Sequence, residues 1–233
     1  TMRAVVGFDG MFSDSFGPLA GWDWETSLNF GRTTGKNALS GNLYADRMLY
    51  AMQGCTDPEA GADCVPYNPF PYVDANTYYY DQAENADELA RLKSYLLFNG
   101  EDSGYNQQLV GLAEMGGELF ELPGGVAQMA VGAQYRQEAG GYTPDAEVVA
   151  GNTTGNAQDP VDGSFNVMEA YSEISLPLLA DEVGVEALEL DGAVRFGKYN
   201  SFGATTTFKG GTRYMPVDGV TFRATYSTGY RAP

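Results

Sequence analysis

Eight stretches of the chain, roughly residues 2–12, 22–32, 108–121, 126–136, 166–176, 187–197, 205–215 and 220–231, alternate with period two. That is the repeat of an extended strand, whose successive side chains point to opposite faces. One parity set takes the even positions of 4–12, 22–30, 168–176, 188–196, 206–214 and 220–230, with the odd positions of 109–119 and 127–135. None of these 42 positions is charged, where a chain with 19% charged residues would place about eight. The opposite parity holds Arg3, Asp9, Asp23, Glu25, Glu114, Glu118, Arg136, Glu169, Glu173, Glu189, Asp191, Arg195, Lys209, Arg213, Arg223 and Arg231. Such a chain must form sheet with one face cleared of charge.

The connections between these stretches measure about 9, 75, 4, 29, 10, 7 and 4 residues, short and long in turn. The short ones carry turn residues, as in Pro123-Gly124-Gly125 and Pro216-Val217-Asp218-Gly219. An up-and-down antiparallel sheet with tight turns at one end and long loops at the other produces this order. A soluble sandwich would also have one uncharged face. Two details favour lipid. The uncharged face is rich in Gly, Ala and Thr, which fill a soluble core poorly. Its aromatics also gather toward strand ends: Phe12, Trp22, Trp24 and Tyr214 near the tight turns, Phe30, Tyr135, Phe196 and Tyr230 near the long loops. Stretches of about 11 residues match what a tilted strand needs to cross a hydrocarbon core. The expected fold is all-β: a segment of a transmembrane β-barrel with about eight antiparallel up-and-down strands.

Composition removes several function classes. With no histidine, imidazole metal ligands and Ser-His-Asp or Cys-His catalysis are absent. A formal charge of −18 argues against nucleic acid as a partner. Carboxylates at i and i+2 or i+4, such as Glu169 with Glu173 and Glu189 with Asp191, share a strand face without forming a catalytic pair. With Arg136, Arg195, Lys209, Arg213 and Arg223 they read as charges lining a wet lumen. There they either pin register across strands or form a selectivity surface. Nothing calls for a metal, a cofactor or an enzymatic activity.

Residues 33–106 form a connection too long to be idle, with 11 acidic and 4 basic residues. Cys55 and Cys64 enclose a polar, turn-rich segment and can close a small disulfide loop in an oxidising compartment; free thiols are the alternative. Tyr67, Phe70, Tyr72, Tyr78, Tyr79 and Tyr80 offer stacking surface to a ligand, or else form the loop's own small core. A helix is expected over about Ala86 to Phe98, with Leu89, Leu92, Leu96 and Leu97 on one side. The second long loop, 137–165, holds Asp145, Glu147, Asp159 and Asp162 without a calcium-loop spacing, and reads as a solvated acidic loop. Its Asn152-Thr153-Thr154 matches a glycosylation pattern that is common by chance.

AVGAQYRQE at 130–138, GNTTGNAQDPVDGSFNVMEAYSEISLPLL at 151–179 and PVDGVTFRATYSTGYRAP at 216–233 together resemble the barrel portion of TonB-dependent outer-membrane receptors. CVPYNPF at 64–70 is similar to a Cys-then-Asn-Pro-Phe element in a long extracellular loop of that family. The likeness covers nearly the whole chain, and TGYRAP is its most specific part. It implies a 22-stranded barrel in the outer membrane of a Gram-negative bacterium, closed by an N-terminal plug. Such a receptor imports a scarce nutrient (siderophore, cobalamin, carbohydrate or peptide) with energy delivered through TonB. The expected partners are outer-membrane lipid, the rest of the barrel and its plug, the TonB complex, and a small-molecule or oligomeric nutrient. No plug or TonB box precedes Thr1, so the expectation is an internal piece of a longer receptor, with neighbouring strands or chains covering Arg3 to Phe12 and Val220 to Arg231. Two other readings remain open: a self-contained eight-stranded structural or adhesion barrel, and a secreted sandwich that binds glycans through its tyrosines.

Overall fold

The computed structural model describes residues 1–69, 72–74, 77–78 and 85–231. Eight long strands form one antiparallel sheet: β1 (Met2–Met11), β2 (Asp23–Leu43), β5 (Leu97–Leu122), β6 (Gly125–Thr143), β7 (Val161–Glu182), β8 (Val185–Tyr199), β9 (Gly203–Val217) and β10 (Val220–Ser227). Each is a neighbour of the next in that order, the up-and-down arrangement expected from the connections. Two short strands, β3 (Tyr72–Asp74) and β4 (Thr77–Tyr78), pair with each other. The α-helices among the described residues are α1 (Ala45–Met52), α2 (Ala86–Leu96) and α3 (Ala146–Val149). Among the described residues no helix is long and apolar enough to cross a membrane.

The register keeps the two faces apart. Ala4, Val6, Phe8 and Gly10 lie opposite Phe30, Leu28, Thr26 and Trp24. Ala170, Ser172, Ile174 and Leu176 lie opposite Phe196, Val194, Gly192 and Leu190. The large apolar side chains of this face stand out from the sheet, with Phe8 65%, Met168 63% and Phe222 60% exposed. A soluble protein would hide such residues; lipid removes the need.

The strands outrun their expected ends. β5 has 26 residues and β2 has 21, where about 10 suffice to cross hydrocarbon. The period-two signal stops short because these extensions lie beyond the uncharged band: the same face of β2 goes on to Arg32 and Lys36, and that of β5 carries Glu101. The connection between β8 and β9 shrinks to residues 200–202, so the strict alternation of short and long connections ends at β8.

The described chain divides into two compact units: Thr1–Thr33 with Asn106–Ala139 and Gly163–Pro233, and Thr34–Tyr105 with Gly140–Asp162. In the first, turn and sheet interlock at a bulge. The β7–β8 register shifts between Pro177 and Leu179, where proline cannot donate to the ladder. A Cβ on Gly124, in the β5–β6 turn, would come within 2.6 Å of Leu179 N and 2.7 Å of Pro177 O. Only glycine lets that turn pass so close to the bulged backbone.

The second unit has its own core. Ala51 of α1, Val65, and Leu92, Tyr95 and Leu96 of α2 are buried together, with Leu43, Met48, Cys64, Tyr67 and Leu97 packed against them. α2 matches the expected helix, and its C-terminal half supplies the buried side chains. Cys55 and Cys64 are joined by a disulfide. The Tyr95 hydroxyl, buried beneath the disulfide loop, donates to Ala60 O at 2.9 Å. The Arg47 guanidinium sits 4.1 Å above the Tyr44 ring and donates to Tyr95 O. The two long connections are tied by backbone pairing of Tyr44 with Thr153, Ala45 N to Asn152 O and Thr154 N to Leu43 O.

Two carboxylates hold the start of the second connection. Asp102, only 7% exposed, accepts from the backbone N–H of Asp145 and from the Tyr142 hydroxyl. Asp145 in turn accepts from the backbone N–H groups of Glu101 at 3.0 Å and Glu147 at 2.9 Å, capping α3. These two amides, Glu101 first, hold the Asp145 carboxyl below its ordinary pKa, against a smaller opposing effect of desolvation. Asp145 therefore serves the fold.

Two predictions follow from these contacts. Gly124→Ala should destabilise the sheet by roughly 1–3 kcal/mol through overpacking, read as a lower denaturant midpoint, while Gly125→Ala probes the positive φ of its neighbour separately. A depressed carboxyl pKa stabilises the folded state above the unfolded value and loses that contribution as pH falls through the folded one. The protection factors of the Glu101 and Glu147 amides, each taken against the intrinsic exchange rate at the same pH, should thus fall as pH drops below the ordinary aspartate range. In Asp145→Asn the Glu101 amide should be fast already at neutral pH.

Candidate functional site

The charged face of the first unit lines a hollow of about 1080 Å³ to which all eight long strands contribute. Its acidic side is built by Asp9, Asp23, Glu25 and Glu114 of β1, β2 and β5. Arg195 and Lys209 come from β8 and β9, with Tyr171 and Glu173 of β7 between. Period two places these groups on one face; strand order sets which of them meet.

Three basic groups of this wall are engaged by acids on neighbouring strands. Arg195 holds Glu169 at 3.2 Å, Lys209 holds Asp191 at 3.4 Å and Arg213 holds Glu189 at 2.6 Å. Arg136 pairs with Glu138 on its own strand. These partners are partly exposed, so each pair contributes only about 0–1 kcal/mol, and the three that cross strands act chiefly on register. The wall also contains like charges in direct opposition: Asp9 faces Glu25, and Arg223 faces Arg213. Such pairs work against the sheet. The acidic one falls within the hollow, giving its β1–β2 side a negative field.

A network absent from the sequence reading crosses three strands. Tyr171 of β7 lies flat over Gly132 of β6, where any Cβ would meet its ring, and donates its hydroxyl to Glu114 Oε2 of β5 at 2.6 Å. The Arg195 guanidinium lies 5.4 Å from the Tyr171 ring centroid. Glu114, Tyr171, Arg195 and Glu169 thus form a continuous polar strip. The sequence signal was a glycine on the charged parity of β6 beside a tyrosine on that of β7, but their alignment depends on register.

A second unforeseen group is aromatic. Tyr199 lies 4.4 Å from Phe202, 6.3 Å from Tyr230 and 6.4 Å from Phe165, with the Arg136 guanidinium 5.8 Å from Phe165. Tyr230 was expected in an interfacial belt. The chain instead leaves the ladder after Ser227, as the Thr228 hydroxyl accepts from Phe208 N at 2.9 Å, and Tyr230 turns onto Tyr199 and Phe202. Trp22, expected in the opposite belt, is only 6% exposed: it covers Gly117 and donates to Glu118 O at 3.0 Å. Trp24 with Phe12 and Tyr214 with Phe222 do pair across strands near the turns.

Of the loop aromatics, Tyr67 packs on the core of the second unit, and its backbone N–H donates to Ala51 O. Phe70, Tyr79 and Tyr80 and the side chains of Tyr72 and Tyr78 lie outside the described residues; the Tyr72 and Tyr78 backbones pair across β3 and β4. No cluster of three or more potential metal ligands occurs among the described residues.

The Tyr171 strip predicts a specific pattern of mutational effects. Gly132→Ala should cost roughly 1–3 kcal/mol by displacing the ring. Tyr171→Phe, which keeps the ring and deletes the hydroxyl, should cost about 1 kcal/mol. In Gly132→Ala/Tyr171→Ala the clash disappears, so a denaturation-based double-mutant cycle should show strong coupling; additivity would refute the contact.

One sheet of up-and-down strands, an uncharged outer face and a charged hollow are consistent with a segment of a β-barrel. No curated protein and no solved structure matches the chain. The model of the TonB dependent receptor-like β-barrel family matches residues 6–233. That family works in transport across the Gram-negative outer membrane rather than in catalysis. With all but the first five residues matched, the chain belongs to the TonB-dependent receptor-like β-barrel family.

Proposed function

We propose that the chain is the part of an outer-membrane active importer that presents the nutrient-binding entrance, with transport driven through TonB. The observation that carries this reading is the union of a charged, concave wall with a separately cored loop unit on strands of one receptor-family sheet. A barrel built only to anchor or adhere would need neither a second hydrophobic core nor a disulfide in its longest connection. Covalent closure between Cys55 and Cys64 and the α1–α2 core preorganise that connection, which lowers the entropy lost when a ligand is captured. Phe70, Tyr72, Tyr78, Tyr79 and Tyr80, together with Tyr67 at the edge of the core, are the proposed ligand-facing aromatics. The charges from Arg136 to Arg223 are the proposed lumen lining.

Because β2 continues to Leu43 and β5 begins at Leu97, the functional test is narrower than removal of residues 33–106. Replacing Ala45–Tyr95 by a short turn, in the receptor that carries this segment, leaves both strands and their pairing in place. High-affinity nutrient uptake should be lost while the barrel still assembles and resists unfolding in detergent. Uptake at the original affinity in that variant would remove the loop unit from the mechanism.

A further inference from the structure

The cations on the charged face of the first unit divide by strand. Arg136, Arg195, Lys209 and Arg213 stand on β6, β8 and β9, strands with a neighbour on each side, and each holds a carboxylate: Glu138, Glu169, Asp191 and Glu189 in turn. The other two, Arg3 and Arg223, stand on β1 and β10, the strands with one side open. Among the described residues neither is ion-paired with a carboxylate. Arg3 donates to the Asn29 amide oxygen at 3.3 Å, and the cross-strand partner of Arg223 is a second arginine, Arg213.

The register locates the deficit. Glu189, Arg213 and Arg223 are consecutive cross-strand partners on β8, β9 and β10, one row across the sheet with a surplus positive charge at its open end. Arg213 cannot share its acid with Arg223. Its Nη1 donates to Glu189 at 2.6 Å and its Nη2 to Met215 Sδ at 3.0 Å, and the Glu189 backbone is two strand spacings, about 10 Å, from that of Arg223. Like charges set directly opposite work against a sheet. β10 is exposed along its whole length, so a counter-charge has an open side from which to approach. That side also presents unpaired backbone N–H and C=O groups at membrane depth, which another strand would satisfy. One occupant answers both needs.

We propose that β10 is flanked by a further antiparallel strand of the intact receptor that sets an aspartate or glutamate opposite Arg223, so that the row reads acid, base, base, acid. A second copy of this chain answers only part of the need. Its β1 would bring Asp9 to Arg223, but the antiparallel register then sets its Arg3 against Gly229, past the end of the β10 ladder, and Arg3 stays without an acid. The proposal rests on the receptor reading only in that the sheet continues in the membrane. It uses neither the loop unit nor the nutrient.

The test uses the whole receptor that carries this segment, and reads the temperature at which heat-modifiable migration is lost. With Arg213 as its only charged neighbour, Arg223→Gln would relieve repulsion and raise that temperature; the proposal requires it to fall. Arg223→Glu should lower it further, and Arg223→Glu combined with lysine in place of the opposing acid on the flanking strand should restore most of the loss. Asp9→Asn should add to Arg223→Gln without coupling. A rise or no change in Arg223→Gln would overturn the proposal, as would a flanking strand with no acid that faces Arg223. Coupling to Asp9 would assign the contact to a second copy, and failure of every reversal on the flanking strand would place the carboxylate on another element; either result overturns the proposal too. Nutrient uptake is not the readout, so failure here and failure of the loop excision remain separate results.

Discussion

Everything in this chain depends on the β-ladder. In hydrocarbon there is no water to satisfy a backbone N–H or C=O, so each strand is viable only where its neighbour supplies the partner groups. Pairing in turn enforces the two-residue alternation, and alternation is what lets a chain of charge −18 present a continuous apolar surface. The charge is not removed from the membrane-facing segments but sorted: Asp9, Glu114, Glu169 and Arg195 lie one residue from side chains that face the other way.

That sorting creates a packing problem on the charged face, which glycine resolves. Long polar side chains from one strand need room to cross the next, and Tyr171 obtains it at Gly132, as Asp191 does beside Gly211. The same device operates between turn and sheet at Gly124 and on Trp22 over Gly117. A high glycine content here is more than turn chemistry: in these four places it is the empty half of a two-part joint whose filled half is a side chain or a bulged backbone.

The long connections follow different physics. Beyond the uncharged band water is available, so α1, α2 and their core can form as in a small soluble domain, closed by one disulfide. Their order comes from local devices, among them the Asp145 cap and the Arg47 guanidinium over Tyr44. A family defined by its barrel thus carries here a unit whose stability rests on burial, and the placement of Tyr67 in that core shows aromatic residues serving the fold before any ligand.

The position of every long strand, the face each residue takes and the α2 helix were legible in the sequence, because period and turn residues act over a few neighbours. The strand extensions past Arg32 and before Asn106 were not, since once outside lipid a strand need not keep an uncharged face and its signal disappears. The belt position read for Tyr230 failed for a related reason. Tyr230 lies off the end of its strand, past Ser227, where parity ceases to aim a side chain. By itself, then, the sequence determined that this chain is an alternating sheet with one face for lipid and one for charge. Only the tertiary structure decided which charges meet and where Tyr171 and Tyr230 come to rest, because each depends on register between strands far apart in the chain.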